Sequence, residues 1–285
     1  MSNCNSCTSN GSCNKEQSNC TVENNPLNKI KKIIGVMSGK GGVGKSTVSA
    51  LIAKNLRKRG YKVGVLDADI TGPSIPRLLG VDKQRARASE QYIYPAITDD
   101  GIKVMSLNLL IEDEEQPVIW RGAMISNVVK QFYTDVLWEE LDYLIIDMPP
   151  GTGDVALTVM QSIPINGVIM VTVPQDMVSM IVAKAVHMVE KLNIDVIGVV
   201  ENMSYIKCPD CGKKIEIFKG EHNRKFLDDM NLNLFGQLPM NTGLGNVSLG
   251  IYNDGDEEVE GLFNPIVINM IKSLEDKEKE TSKSF

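Results

Sequence analysis

The chain has 285 residues, a formal net charge of −6 at pH 7 and a hydrophobic content of 42%. That is enough length and apolar material for one large α/β domain or two smaller ones, and the acidic balance excludes a nucleic-acid partner held by overall attraction. No run approaches the ~18 consecutive apolar residues of a membrane span, and residues 1–25 lack the basic-then-apolar layout of a leader, so a cytoplasmic protein with neither nucleic acid nor membrane as partner is expected.

Residues 1–28 are rich in Ser and Asn and nearly empty of large apolar side chains. Such a segment cannot bury enough surface to offset its ordering entropy, and a disordered tail is expected. It nevertheless carries Cys4, Cys7, Cys13 and Cys20. In a reducing compartment cysteines read as metal ligands or redox groups rather than a disulfide frame, so these thiols are candidate ligands of a metal or an iron–sulfur cluster.

From Lys32 apolar runs alternate with amphipathic repeats, the pattern of βαβ units around a mostly parallel sheet flanked by helices. The run Ile33 to Met37 leads into Ser38-Gly39-Lys40-Gly41-Gly42-Val43-Gly44-Lys45-Ser46-Thr47, which fills G-x-x-x-x-G-K-[ST] from Gly39 to Ser46 between a strand and a helix. The glycines let backbone N–H groups turn around phosphate oxygens, Lys45 bridges the outer phosphates, and the Ser46 hydroxyl is placed for Mg2+. A single P-loop domain over 29–275 is therefore expected, with 276–285 as a charged C-terminal tail. Val48, Leu51, Ile52 and Leu56 form one helical face, Arg57 to Arg59 a solvated helix end, and Gly60 a stop.

The strand Lys62 to Leu66 runs into Asp67-Ala68-Asp69, which places carboxylates at the sheet edge where ligands of such folds bind. Asp69 is a candidate for positioning water or magnesium, and Asp67 either shares that role or caps a turn. Residues 82–100 are polar and carry no signal. Ile102 to Leu107 resembles a strand, Glu112 to Glu115 an acidic loop, and Trp120, Phe132 and Trp138 read as core. Tyr143 to Asp147 is an apolar run ending in a carboxylate, the form of a buried parallel strand, and Asp147 is a second candidate for magnesium. Met148-Pro149-Pro150-Gly151-Thr152-Gly153-Asp154 follows as a loop able to sense the outer phosphate.

Gly167 to Val173 and Val196 to Val200 read as further strands, separated by a helix whose Met177, Met180, Ile181 and Met188 are expected to fill core. His187 and His222 are expected to be surface or core residues. Asn202 offers a donor and an acceptor to an adenine edge, and Pro239, with Gly243 and Gly245, a facing wall. Cys208-Pro209-Asp210-Cys211 is a C-x-x-C knuckle, which supplies only part of a tetrahedral ligand set; the tail or a second subunit must complete it. Ile266 to Leu274 begins a closing helix, frayed beyond Glu275.

Taken together these motifs carry a family likeness. Gly39 to Ser46, with Lys40 as a signature lysine, resembles the deviant Walker A loop of the MinD/ArsA/nitrogenase iron protein class. Asp67-Ala68-Asp69-Ile70-Thr71-Gly72-Pro73-Ser74, Trp120-Arg121-Gly122, Asp147 to Asp154, Glu201-Asn202-Met203-Ser204 and the Cys208/Cys211 knuckle are similar to the Mrp/ApbC group of iron–sulfur carrier ATPases. The resemblance implies a homodimer that binds ATP, holds a [4Fe–4S] cluster between two Cys208/Cys211 pairs and passes it from a cluster-assembly scaffold to apo iron–sulfur proteins, with slow hydrolysis as a switch. It implies that Lys40 reaches the partner's nucleotide and that Asp69 lies near the attacking water. In eukaryotic-type relatives an N-terminal cysteine motif resembles Cys4, Cys7 and Cys13, with Cys20 the candidate for its remaining member. Competing expectations within the class are a positioning ATPase of the MinD or partition type and an ATP-dependent reductase of the nitrogenase iron protein type.

Overall fold

The computed structural model describes residues 22, 24–111, 122–174, 176–216, 225, 227–248 and 257–283. Cys4, Cys7, Cys13, Cys20, Glu112 to Glu115, Trp120, Arg121 and His222 lie outside the described residues.

Among the described residues nine strands form one sheet in the order β10-β9-β8-β1-β7-β2-β6-β5, with β11 (Leu234–Pro239) also on β9. The central strands β1 (Lys29–Ser38), β7 (Glu140–Asp147), β2 (Val63–Asp67), β8 (Gly167–Thr172) and β9 (Val196–Lys207) are parallel neighbours. Helices cover both faces of a parallel sheet, which is why β2 and the second half of β1 are buried at every position rather than at alternate ones. The edges are antiparallel: β5 (Ala96–Ile97) pairs with β6 (Lys103–Met105), and β10 (Lys214–Glu216) folds back on the far end of β9. A separate two-stranded ribbon, β3 (Arg87–Ala88) with β4 (Ile93–Tyr94), lies in the stretch that gave no sequence signal.

Helix α1 (Lys45–Lys58) buries Val48, Leu51, Ile52 and Leu56, and Gly60 follows in the left-handed region, as the spacing predicts. Its basic end is not merely solvated. Arg57 donates to the Asp100 carbonyl, Lys58 pairs with Glu260, and Arg59 donates to Asn264, so this end grips the closing helix Glu257–Lys283. That helix begins well before Ile266, carries Pro265 inside it, and continues past Glu275 instead of fraying. Ion pairs from Lys32 to Glu278 and from Asp195 to Lys277 accompany the extension.

Phe132 and Trp138 are core residues, and the indole N–H of Trp138 donates to the Phe132 carbonyl at 3.0 Å. On the helix Asp176–Lys191 the core stripe is Val182, Ala185, Val186 and Val189. Met180 is therefore not core filler: it points away from that stripe and is 65% exposed, while Ile181 lies against Gly39 of the phosphate loop. His187 is exposed and its Nδ1 meets Glu190 at 3.2 Å.

Candidate functional site

The loop Gly39 to Gly44 joins the end of β1 to the start of α1, so the first helical N–H groups face the C-terminal edge of the sheet. Gly42 and Gly44 have φ of 79° and 83°, a region that side chains rarely enter. A Cβ at Gly44 would also collide with the Asn202 amide. Neither a side-chain cap nor an acidic residue occupies the first turn of α1, which leaves its amides and the positive end of its dipole to an anion. A cavity of ≈ 270 Å³ opens there, lined by Gly41, Gly42, Gly44, Lys45, Ser46, Thr47, Asp69 and Pro150 among others.

Parallel pairing sets the acids beside this loop. Asp67 and Asp147 are register partners at the ends of β2 and β7, and both are fully buried. Asp147 Oδ2 lies 2.8 Å from Lys45 Nζ and accepts from Ser46 Oγ at 2.6 Å, while its Oδ1 accepts from Ser49 Oγ at 2.7 Å. Lys45 is only 6% exposed, with Asp69 Oδ2 at 3.8 Å as a further counter-charge. Asp67 accepts from the Ser106 hydroxyl at 3.1 Å and from the N–H groups of Asp69 and Ile75. Burial, and then the neighbouring Asp147 charge, push the Asp67 carboxyl up to about 8 against the opposing pull of Lys45 and Ser106.

The arrangement suits a polyphosphate with a hard cation. Backbone amides and Lys45 face the phosphate space, and the adjoining Ser46 and Asp147 oxygens are the donor type magnesium takes. Magnesium, when bound, would neutralise charge on the outer phosphates. Lys40 sits on the loop, its backbone carbonyl accepting from Ser38 Oγ at 2.9 Å. Thr71 Oγ1 donates to Asp69 Oδ1 at 3.0 Å, which orients that carboxylate at the cavity rim. Gly151 N–H donates to the Ser38 carbonyl at 2.8 Å and ties the loop after β7 to the phosphate loop.

A second cavity, of ≈ 360 Å³, adjoins the first and is mostly apolar, with Val48, Met203, Leu238, Pro239, Met240, Leu244, Gly245 and Phe263 in its wall. Asn202 and Pro239 both line it, from β9 and β11 (Leu234–Pro239). The Asn202 amide is largely spent on the protein itself: its Nδ2 donates to the Val43 carbonyl and its Oδ1 accepts from Met203 N–H, each at 2.9 Å. It braces the phosphate loop as much as it faces the cavity.

Strand β9 continues beyond Asn202 to Lys207, further than the run Val196 to Val200, and delivers Cys208 at its end. Cys208 N–H donates to the Lys213 carbonyl and Gly212 N–H to the Cys208 carbonyl, closing the knuckle. Cys208 is half-buried and Cys211 exposed, and backbone amides of Cys211 and Asp210 pull the Cys208 thiol below its ordinary range. Among the described residues no group of three or more His, Cys, Asp or Glu side chains could hold a metal.

Ser49 and Ser106, which orient the two buried acids, went unnoticed in the sequence, as did Leu238, Leu244 and Phe263, the apolar side chains in the wall that Pro239 and Gly245 share. The available signal for Ser49 was a hydroxyl one helical turn after Lys45, on the face that carries Val48 and Ile52.

A parallel sheet with a glycine-rich loop, Lys45-Ser46 and strand-end acids at its C-terminal edge defines a P-loop NTPase. The family of NUBPL iron-transfer P-loop NTPases matches residues 29–259, and the chain belongs to that family. It is 54% identical over 222 residues to an iron-sulfur cluster carrier protein of Clostridium perfringens, covering 75% of this chain and 78% of that one. With the iron-sulfur cluster carrier protein of Methanococcus maripaludis it is 46% identical over 244 residues, 84% of each chain. Among solved structures it is similar to a nucleotide-binding protein from Archaeoglobus fulgidus in complex with ADP, at 42% identity and a TM-score of 0.69, over 78% of this chain and 87% of that chain. The septum site-determining protein MinD from Pyrococcus horikoshii, with Mg-ADP, superposes with a TM-score of 0.61 over 83% of this chain and 94% of that chain; at 20% identity it shows the shared fold alone. No helix among the described residues is long and apolar enough to cross a membrane.

Proposed function

We propose that this protein is an ATP-dependent carrier of [4Fe–4S] clusters in which Cys208 and Cys211 hold the cargo and a second copy of the chain supplies the remaining thiolates. The observation that carries the reading is strand β9, which places Asn202 on the phosphate loop and Cys208 at its own far end. Two thiols are half of the Cys ligand set of a [4Fe–4S] cluster, and a two-fold axis through the knuckle supplies the other half. The iron-sulfur cluster carrier proteins of Clostridium perfringens and Methanococcus maripaludis, as relatives, support the cargo, and the ADP in the Archaeoglobus fulgidus structure supports the nucleotide.

In this reading Gly39, Gly41, Gly42, Val43, Gly44 and Thr47 wrap the phosphates. Lys45 exchanges its pairing with Asp147 for the outer phosphates, and Ser46 and Asp147 hold magnesium. Asp69 orients the attacking water. Lys40 acts on the partner's nucleotide, offsetting charge that develops during phosphoryl transfer in the manner of an arginine finger. Apo iron–sulfur proteins receive the cluster, and hydrolysis resets the carrier.

The direct test is anaerobic reconstitution with iron and sulfide. The wild-type chain is expected to take up about four irons per two chains, as one Cys-ligated cluster requires. The Cys208→Ala/Cys211→Ala variant is expected to lose that iron while still binding nucleotide. Full iron retention in the variant would refute the assignment.

A further inference from the structure

Strand β9 carries a further polar side chain immediately ahead of Asn202, one that neither cavity nor the knuckle uses. Glu201 is buried and its Oε2 accepts from Ser204 Oγ at 2.8 Å and from Gln237 Nε2 at 2.6 Å. Gln237 Oε1 in turn accepts from Lys214 Nζ at 2.9 Å. The amide thus stands between a carboxylate and an ammonium, with its donor toward the anion and its acceptor toward the cation. Only one orientation of the amide satisfies both, and each bond is charge-assisted.

The ends of this chain belong to different parts of the molecule. Lys214 opens β10 and is the register partner of Lys207, the residue before Cys208, and its ammonium also lies 4.3 Å from the centre of the Tyr205 ring. It is therefore part of the knuckle hairpin. Gln237 sits on β11 immediately before Leu238 and Pro239, which wall the apolar cavity. The pairing of β11 with β9 slips between Gln237 and Pro239, and Met240 N–H reaches the Tyr205 carbonyl at 2.8 Å. On β9 itself Met203, another cavity residue, has a φ of 54°, left-handed backbone that costs a side-chain-bearing residue strain. A register slip and a strained residue thus both lie at the corner between the apolar cavity and the hairpin.

We infer that Gln237 is a positioning residue that couples the apolar cavity to the cysteine knuckle: a nucleotide base pressed against Leu238, Pro239 and Met203 moves the Gln237 amide, and Lys214 carries that movement into the hairpin that presents Cys208 and Cys211. Cargo affinity then follows nucleotide occupancy. The inference rests on the carrier reading for what the knuckle holds; the coupling itself is a property of the metal-free chain.

Thiol reactivity tests it without any metal. Full-length, reduced, metal-free protein is treated with iodoacetamide, and alkylation of the peptide holding Cys208 and Cys211 is followed by mass spectrometry, with and without Mg-ADP or a non-hydrolysable ATP analogue. In the wild type, nucleotide is expected to change the rate by about three- to tenfold, the size of one net hydrogen bond. Gln237→Met and Lys214→Met are expected to lose that response. Lys214 is exposed and lies outside both cavities, so Lys214→Met should fold and bind nucleotide as the wild type does. An unchanged wild-type rate, or a full response in either variant, would overturn the coupling. Iron uptake measured on the same proteins keeps the questions apart: a chain that takes up no iron fails as a carrier, yet its thiols still report the coupling.

Discussion

Lys45 is a buried cation whose charge is met by buried acid. Removing it while Asp147 remains would leave an unpaired carboxylate at a fully buried position, which costs about 3 kcal/mol or more. Lys45→Met is therefore expected to destabilise the nucleotide-free protein in denaturant melts at neutral pH. Lys45→Met/Asp147→Asn should recover most of the loss; simple additivity of the single changes would show that the pair is not coupled. Asp67 makes a prediction of the opposite kind. Its folded-state value lies at about 8, above the ordinary 3.8, so the folded protein holds a proton that the unfolded chain releases. The stability this contributes is complete below the ordinary value and is lost as pH rises through about 8. Nucleotide-free stability should accordingly fall between pH 4 and 8, by at most about 1.4 kcal/mol per pH unit from this group. Asp67→Asn should flatten that slope, and an unchanged slope would mean that Asp67 is ionised throughout. The positions of both acids were legible, because each ends an apolar run. Their shared burial was not, since strand order decides which carboxylates become neighbours.

At the scale of elements, the central strands could be read because burial on both faces leaves continuous apolar runs. The short strands from Arg87 to Ile97 could not, being two residues each and partly exposed, and the far half of β9 was obscured by the change from buried to exposed positions after Ser204. Met180 shows the converse error: an apolar residue within a helical repeat lies off the stripe that packs. The closing helix separates packing from charge. Ile266 is fully buried and lies against Gly236 of β11, so Ile266→Ala should cost about 2–5 kcal/mol. Truncation after Leu274 removes the pairings of Lys277 with Asp195 and Lys32 with Glu278, exposed ion pairs worth no more than about 1 kcal/mol each. Thermal melts of the two variants should rank in that order. A larger loss on truncation would mean that the charged end packs more than its ion pairs suggest.

At the scale of the whole molecule, the phosphate loop, the apolar cavity and the knuckle all lie along the C-terminal edge of one sheet, and β9 touches all of them. The two ends of this line carry sequence motifs and Gln237 and Lys214 do not, because those two gain meaning only from strand pairing. In the proposed carrier, whose knuckle holds half of a Cys ligand set, cargo loading is an event between chains. Native mass spectrometry of the oxygen-free, iron-loaded protein measures this in one spectrum. The expected species is two chains carrying a single [4Fe–4S] cluster, absent from the Cys208→Ala/Cys211→Ala variant. A single chain carrying an intact cluster would contradict the account.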